Sequence, residues 1–298
     1  MVKGFCTICK RDTALFGPRL NYEYHICNSC GTLQLFPMPD EHTLEAAYSE
    51  HYATAKQTVE FNEPDAWKAA GEPYRRDILN ALIDHKVSGL VVDFGAGWGY
   101  LCEMLRDSGF NCRGVELSPE MASYAQQKQF PVYHGGFDLI KQWDDQSVSA
   151  IVLCGVFEHL TNYHMWMQRF NHVLPLGGKL VSLHPTSACY TLLGKIMRLG
   201  NRNKELPELH GSFAPPWHTT LISIQGMSIL ADLYGFEIIE IRPASQGRTP
   251  GVIGFIQRCL GIANWFGWRA LGLRWPLVTT HVFVLNKIRN LDANSTAL

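Results

Sequence analysis

The chain has 298 residues, of which 46% are hydrophobic and 18% charged, and this balance excludes an intrinsically disordered protein. Its 26 Lys and Arg residues nearly match its 27 Asp and Glu residues, so the net charge of −1 argues against an extended basic surface for nucleic acid. The first residues lack the apolar stretch of a signal peptide, and no run of about eighteen apolar residues follows. We therefore expect a cytoplasmic protein without a membrane-spanning helix.

Two Cys-x-x-Cys pairs mark the first segment, residues 1–40. Cys6 and Cys9 form one pair, Cys27 and Cys30 form the other, and seventeen residues separate the pairs. This spacing is typical of a structural zinc site, in which four thiolates surround one ion as a tetrahedron. The segment is therefore predicted to be a zinc ribbon. Four unrelated thiols and an iron–sulfur cluster are the alternatives.

A helical pattern follows over residues 41–88, which we interpret as a linker or lid. Tyr48, Tyr52 and Tyr74 lie in it and are candidates for covering a ligand, although aromatic residues at helical spacing more often pack in a core.

Strands and helices alternate over residues 89–245, which predicts a doubly wound α/β sheet of mostly parallel strands. Helices are expected from Tyr100 to Ser108 and from Pro119 to Gln129. The predicted strands, including the last one beyond this range, are Leu90–Phe94, Asn111–Glu116, Val132–His134, Ala150–Leu153, Lys179–Leu183, Glu237–Ile241 and Val278–Leu285.

A glycine-rich turn joins the first of these strands to the helix after it. Gly95, Gly97 and Gly99 alternate with Ala96 and Trp98 in this turn. Glycine lets the backbone turn tightly and approach a ligand, and the amides at a helix start favour an anionic or polar group. Glu116, at the end of the second strand, can accept hydrogen bonds from ribose hydroxyls. The spacing differs from the Gly-x-Gly-x-x-Gly of dinucleotide sites, which favours an adenosyl ligand; a purely structural turn is the alternative.

These motifs together resemble those of the class I S-adenosylmethionine-dependent methyltransferases. The matching stretches are Val92–Gly97, Gly114–Ser118, Phe157–Leu160, Leu174–Leu180 and Pro215–His218, within about residues 75–245. The resemblance implies a Rossmann-like sheet of seven strands with the last strand antiparallel, and S-adenosylmethionine as cofactor.

The resemblance also implies cofactor contacts. Gly95 and Gly97 would hold the methionine part and Glu116 the ribose, while Asp93 would act through the turn amides or a water. Trp98 and Leu117 are further candidate contacts of the adenosyl group.

The adenine side departs from the family pattern. Many relatives carry an acidic residue directly after the third strand, whereas this chain continues as His134-Gly135-Gly136-Phe137-Asp138. Either Asp138 takes that role, or backbone and stacking contacts hold the adenine.

The segment that follows Cys30 resembles the zinc-containing N-terminal region of bacterial methyltransferases that act on nucleotide-linked sugars and other small metabolites. This implies a small-molecule acceptor: a sugar nucleotide, a natural-product intermediate or a lipid-linked intermediate. An RNA methyltransferase and a catalytically silent assembly partner with the same fold are the alternatives. The near-neutral charge counts against RNA.

Histidines are the candidate general bases, because an oxygen or carbon acceptor usually needs a proton removed. His159, His184 and His218 fall where strand ends and loops should meet the cofactor, and His210 is a further candidate. A structural role is an equally good interpretation of His159. Methyl transfer can also proceed by positioning alone, without a base.

Residues 246–298 combine an apolar insertion, the final strand and a tail. The insertion, at 251–273, is rich in Ile, Leu, Phe and Trp and is interrupted by Arg258 and Arg269. A packed excursion or a dimer contact is the favoured interpretation. A helix lying on a membrane surface, or a lid over a hydrophobic acceptor, is the functional alternative.

Overall fold

The structure is a computed structural model, and it describes residues 4–40, 43–44, 64–142, 148–199, 201, 204–206, 212–247 and 251–291. Tyr48, Tyr52 and His210 lie outside the described residues.

A seven-stranded sheet forms the centre of the molecule, with the strand order β10-β11-β8-β7-β4-β5-β6. Strands β4 to β8 are parallel, and β11 is antiparallel to both β8 and β10. This confirms the predicted Rossmann-like sheet with an antiparallel last strand. Its strands are β4 (Leu90–Phe94), β5 (Asn111–Glu116), β6 (Val132–His134), β7 (Val148–Cys154), β8 (Lys179–Pro185), β10 (Phe236–Pro243) and β11 (Thr280–Lys287).

Helices cover both faces of the sheet, and the described α-helices are α1 (Pro64–Asp84), α2 (Tyr100–Asp107), α3 (Pro119–Gln127), α4 (Tyr163–Val173), α5 (Ser187–Met197), α6 (Ile224–Leu233) and α7 (Gly251–Leu271). Successive residues of a strand point to opposite faces, so Val91 packs in the core with α1 and α2, and Val92 in the core with α4 and α6. Both valines are fully buried, which explains why the central strands are apolar throughout.

Side-chain caps fix the starts of helices α3 and α6. Ser118 accepts a hydrogen bond from the amide of Met121 at the start of α3, and Ser223 accepts one from Gly226 at the start of α6. Pro119 occupies the first turn of α3, where its missing N–H costs nothing.

A second, four-stranded sheet carries the cysteine pairs, with the order β1-β2-β3-β9. Strands β1 (Thr13–Arg19), β2 (Tyr22–Cys27) and β3 (Leu33–Phe36) come from the N-terminal segment, but β9 (Thr220–Leu221) comes from the segment before α6. The side chains of Ser187 and Ser223 also donate hydrogen bonds to the carbonyls of Gly31 and Cys30. The cysteine-bearing sheet is therefore completed by a strand from the segment before α6, while the division after residue 40 stays a prediction.

The apolar insertion forms helix α7 and a short 3-10 helix, Gly272–Arg274, before β11. Trp268 contacts His281 of β11, with ring centroids 5.5 Å apart, so part of the helix is docked on the sheet. Large apolar side chains remain exposed along it: Leu260, Ile262, Trp265, Phe266, Leu271 and Leu273. Among the described residues, no helix combines the length and hydropathy needed to cross a bilayer.

Candidate active site

The glycine turn after β4 adopts a left-handed conformation that favours glycine. Gly95, Gly97 and Gly99 have φ angles of 79°, 53° and 81°. A Cβ on Gly95 would lie 2.5 Å from Val156 Cγ2, which brings the turn against the loop after β7. A Cβ on Gly97 would meet nothing closer than Met121 Sδ at 3.9 Å, so the backbone of Gly97 faces open space. A ligand could approach the turn at Gly97.

Glu116 closes the glycine turn from the neighbouring strand. One carboxylate oxygen accepts a hydrogen bond from the amide of Gly97 at 2.7 Å, and the other accepts one from Ser118 at 2.8 Å. Burial raises the pKa of Glu116, and these amide hydrogen bonds oppose that rise by stabilising the carboxylate. A carboxylate has about four acceptor positions, so Glu116 can still accept ribose hydroxyls.

Asp93 lies beneath the turn, with 2% of its surface exposed. Burial raises its pKa to about 7, opposed by a hydrogen bond from the thiol of Cys102 at 3.7 Å. Asp93 is therefore a buried residue at the end of β4 that bonds to α2, and its role towards the cofactor stays a prediction.

The other predicted cofactor contacts lie around the same turn. Trp98 packs edge-on against Tyr124, with ring centroids 5.0 Å apart. Leu117 is 72% exposed and lies beside Gly136, whose Cβ would be 3.6 Å from Leu117 Cδ2. Asp138 is also exposed, in a 3-10 helix that follows β6. An exposed leucine beside a glycine is a suitable platform for one face of an adenine ring.

The four cysteines of the two pairs converge at one point. Cys6 Sγ lies 3.7 Å from Cys30 Sγ, and Cys9 Sγ lies 3.4 Å from Cys27 Sγ. A tetrahedral zinc ion with bonds of about 2.3 Å requires sulfur atoms about 3.8 Å apart, so the four thiols fit this ion. The amide of Ile8 points at Cys6 Sγ, and those of Ser29 and Cys30 point at Cys27 Sγ, as expected for thiolate ligands.

A second group of ligating side chains lies in the loop after β7 and the segment before β9. One ligating atom from each of Glu158, His159 and His218 lies within 4.8 Å of the others. The rings of His159 and His218 meet edge-on, with centroids 4.8 Å apart. Glu158 belongs to a stretch that resembles the family, but it was not among the site residues predicted from the sequence. Its position directly before His159 is the sequence feature that could have identified it.

Hydrogen bonds to the backbone hold this group in place. Thr219 donates to the carbonyl of Glu158 from its amide at 3.0 Å and its hydroxyl at 3.1 Å, which ties the two loops together. From the cysteine-bearing sheet, the Tyr24 hydroxyl donates to the carbonyl of His218 at 3.1 Å. Neither Thr219 nor Tyr24 could be found from sequence, because these contacts join segments far apart along the chain.

Burial keeps this group uncharged near neutral pH. It lowers the pKa of His159 to about 3 and that of His218 to about 4, and raises the pKa of Glu158 to about 8. In a neutral imidazole only one nitrogen carries a proton. The Nδ1 atoms of His159 and His218 lie 2.9 Å and 3.3 Å from the carbonyls of Trp217 and Ser212. This assigns the proton of His218 to Nδ1 and its lone pair to Nε2, whereas His159 also interacts with the carbonyl of Gly155.

The structure places His184 apart from His159 and His218. Its ring is fully buried and stacked between Phe157 and Phe283, with centroids 4.9 Å and 5.1 Å away. Neither ring nitrogen has a hydrogen-bond partner within the described residues. A fully buried imidazole cannot contact a bound acceptor, so the predicted role of His184 as a general base does not fit its position.

Comparison with known families identifies the fold. The family described as "Methyltransferase domain" matches residues 66–241, more than half of the chain, and the chain therefore belongs to this methyltransferase family. An uncharacterized methyltransferase of Bacillus thuringiensis (strain Al Hakam) is 32% identical over 110 residues, covering 35% of this chain and 50% of the relative. One from Bacillus mycoides (strain KBAB4) matches with the same values. The chain thus spans about half the length of the curated relatives it matches.

Solved structures share the architecture at low identity. A chain from the complex of the Haloferax volcanii Trm112 methyltransferase activator with a methyltransferase aligns with a TM-score of 0.53 at 19% identity, covering 82% of this chain and 98% of that one. A SAM-dependent methyltransferase from Archaeoglobus fulgidus aligns at 0.52 and 14%, covering 77% and 100%. The 1,6-didemethyltoxoflavin-N1-methyltransferase of Burkholderia thailandensis aligns at 0.51 and 13%, covering 90% and 96%. Fold and family together define this chain as a class I methyltransferase.

Proposed function

We propose that this protein transfers a methyl group from S-adenosylmethionine to a small-molecule acceptor bound at Glu158, His159 and His218. The observation that carries the proposal is the contact between two loops. Gly95, in the glycine turn, packs against Val156, two residues before Glu158. A cofactor in the turn and an acceptor at the histidines would therefore be neighbours at the carboxyl edge of the parallel strands.

The cofactor side rests on the glycine turn and Glu116. The open backbone at Gly97 suits the methionine part, and the Glu116 carboxylate suits the ribose hydroxyls. Leu117 and Trp98 are proposed to contact the adenosyl group. A sulfonium cofactor needs no chemical activation by the protein; it needs its methyl group held in line with the acceptor atom.

The acceptor side rests on His159 and His218. The His218 imidazole is neutral with its Nδ1 proton directed at the Ser212 carbonyl, so its Nε2 can accept a hydrogen bond from an acceptor hydroxyl, and the His159 ring packs edge-on against it. Because the two loops are tied through Thr219, the rings are held in position before the acceptor arrives.

Structural zinc at the four cysteines would join the turn before β1 to the turn that connects β2 and β3. Tyr24 of β2 bonds the backbone of His218, and Leu35 of β3 donates its amide to the carbonyl of Thr219 at 2.8 Å. The zinc site would therefore act on the reaction indirectly, by positioning His218.

A small molecule is favoured over RNA as the acceptor. The net charge of −1 does not provide the basic surface that salt-sensitive phosphate binding requires. The Burkholderia thailandensis neighbour is crystallised with 1,6-didemethyltoxoflavin, a small molecule. Within this class a sugar nucleotide, a natural-product intermediate and a lipid-linked intermediate are the substrates to be tested.

A lipid-linked acceptor is favoured by one observation, the exposed apolar surface of α7. Trp265 and Phe266 are 53% and 62% exposed, and the Arg269 guanidinium lies 4.8 Å from the Trp265 ring. Aromatic residues beside arginine suit the boundary between lipid headgroups and acyl chains. The peripheral membrane contact is therefore proposed through α7.

The test is methyl transfer from methyl-labelled S-adenosylmethionine to pooled sugar nucleotides and polyprenyl-linked sugars. We expect label in one pool with the wild type and at least a tenfold loss of kcat/KM in His218→Ala. His85→Ala serves as the control, because His85 follows α1 and pairs with Glu240 of β10, the strand at one edge of the sheet. Equal turnover in His218→Ala and His85→Ala would place the acceptor elsewhere.

A further inference from the structure

The proposed function gives roles to His159 and His218, but it gives none to the buried side chain of Glu158. Its side chain is 4% exposed, and its Oε2 atom has no hydrogen-bond partner in the part of the chain that the structure describes. A buried carboxyl oxygen without a hydrogen-bond partner is unfavourable, because folding takes it out of water and supplies no other partner. It therefore calls for a ligand that the protein alone does not supply.

We propose that Glu158, His159 and His218 form a binding site for a divalent transition-metal ion, separate from the four-cysteine site. One carboxylate oxygen and two imidazole nitrogens within 4.8 Å of one another can reach a common ion. Two ligands on opposite sides of an ion, each about 2.2 Å away, are about 4.4 Å apart, so small side-chain adjustments complete the site. Because this ion would act on the acceptor, the inference rests on the proposed function.

The imidazoles are prepared as metal ligands. Nδ1 of each ring is held by a backbone carbonyl, Trp217 for His159 and Ser212 for His218. Ligating histidines usually donate their other ring N–H to such a carbonyl or to a carboxylate, which orients the ring and fixes the lone pair on the ligating nitrogen.

The donor set indicates the class of ion. Two imidazoles and one carboxylate suit manganese, iron, cobalt or zinc, whereas four thiolates suit zinc. Three protein ligands leave coordination positions open, as catalytic metal sites do and as the four-cysteine site does not.

The open positions would receive the acceptor's oxygen. For a hydroxyl acceptor, the O–H bond breaks and its proton passes to solvent, while an O–C bond forms to the methyl group. The S–C bond of S-adenosylmethionine breaks, and its electron pair stays on sulfur as S-adenosylhomocysteine. A divalent ion makes the hydroxyl proton easier to lose, because it stabilises the negative charge that the oxygen then carries.

The test is Mn²⁺ binding to the full chain after its zinc content has been measured, because Mn²⁺ is a poor replacement for zinc at four thiolates. Electron paramagnetic resonance counts bound Mn²⁺, and pulsed measurements detect nitrogen ligands. We expect one additional ion per chain with micromolar affinity and couplings from two imidazoles in the wild type. Saturable binding without nitrogen coupling, or no saturable binding, would overturn the proposal without requiring any variant.

Variants locate the ion. Glu158→Gln and His218→Gln should each weaken Mn²⁺ binding at least thirtyfold while zinc content stays unchanged. The matched controls are Glu240→Gln and His85→Ala, a carboxylate–imidazole pair 2.7 Å apart on the other part of the sheet. Binding unchanged in His218→Gln would overturn the assignment even if Glu158→Gln failed to fold.

Calorimetry with S-adenosylmethionine on the same samples separates the two proposals. Cofactor binding without a second metal ion would remove only this inference. Absence of cofactor binding, with or without the ion, would remove the proposed function instead.

Discussion

The carboxylate of Glu116 accepts a hydrogen bond from the backbone amide of Gly97 at 2.7 Å, across the edge of two parallel strands. This contact joins the end of β5 to the turn after β4, so the residue proposed for the ribose also fixes the turn proposed for the methionine part. Loss of the Glu116 carboxylate should therefore weaken both the ribose contact and the contact of the turn with the methionine part.

Gly95→Ala should disrupt the turn by more than the strain of a left-handed alanine alone. Its Cβ would lie 2.5 Å from Val156 Cγ2 in addition to the strained φ of 79°. Gly109→Ala is the matched control, because Gly109 has a φ of 87° and nothing within 4 Å of a Cβ. We expect Gly109→Ala to cost roughly 1–2 kcal/mol of unfolding free energy and to leave cofactor affinity unchanged. Gly95→Ala should cost more and weaken S-adenosylmethionine at least tenfold by calorimetry; equal effects in both variants would contradict the close contact with Val156.

Cys27→Ser should release the zinc ion. Cys27 Sγ lies 3.4 Å from Cys9 Sγ and accepts two amide contacts, so a serine cannot replace it as a soft thiolate ligand. The exposed Cys259 gives the control Cys259→Ser. We expect elemental analysis to find one zinc per chain fewer in Cys27→Ser than in the control, with a loss of stability on the order of several kcal/mol. Full zinc content in Cys27→Ser would rule out the four-thiolate site.

Asp93 should make the protein less stable as the pH rises. Burial raises its pKa from 3.8 to about 7, so the folded protein holds this proton more tightly than the unfolded chain. Ionisation therefore costs stability progressively between about pH 4 and pH 7, by about 1.4 kcal/mol for each pKa unit. Its charged neighbours act in opposite directions, since Glu116 raises the pKa and Arg75 lowers it.

The measurement is denaturant unfolding of the wild type and Asp93→Asn at pH 5 and pH 8. Asparagine keeps the shape but cannot ionise. The wild type should lose roughly 1–4 kcal/mol relative to Asp93→Asn between the two pH values. A difference that stays constant with pH would show that Asp93 keeps an ordinary pKa.

Trp265→Ser with Phe266→Ser should reduce binding to vesicles of anionic phospholipid, if the acceptor is lipid-linked. Both side chains are exposed, so the free energy of unfolding should change by less than about 0.5 kcal/mol for each. Loss of two apolar side chains from a membrane interface should weaken vesicle binding roughly 10- to 100-fold in a flotation assay. Leu199→Ser, at a position that is 80% exposed, is the control. Equal flotation of both variants would exclude α7 as the membrane contact.

The central sheet could be predicted from the sequence because each of its strands has a recognisable local pattern of apolar residues. Leu90–Phe94, Asn111–Glu116 and Val132–His134 were predicted with the bounds observed, since each is a short apolar or alternating run beside a glycine or a turn. Strands β1 to β3 were not predicted individually. Their side chains alternate less regularly, and β1 carries a register shift between Leu15 and Gly17.

Only those parts of the candidate site whose residues lie close together along the sequence could be predicted. The glycine turn, Glu116 and the cysteine pairs follow from spacing along the chain. The grouping of Glu158 with His218 does not, because 59 residues separate them along the chain and hydrogen bonds through Thr219 bring them together. His184 shows the reverse case, a histidine at a strand end whose neighbours Phe157 and Phe283 bury it.

Calorimetric titration with S-adenosylmethionine tests the central claim most directly, using the wild type, Glu116→Ala and the exposed control Glu237→Ala. We predict micromolar affinity for the wild type and the control, and affinity roughly 10- to 100-fold weaker for Glu116→Ala, as expected for loss of charged hydrogen bonds to ribose. No heat of binding at millimolar cofactor in folded, zinc-loaded wild type, or equal affinity in Glu116→Ala, would contradict the cofactor site proposed for this turn.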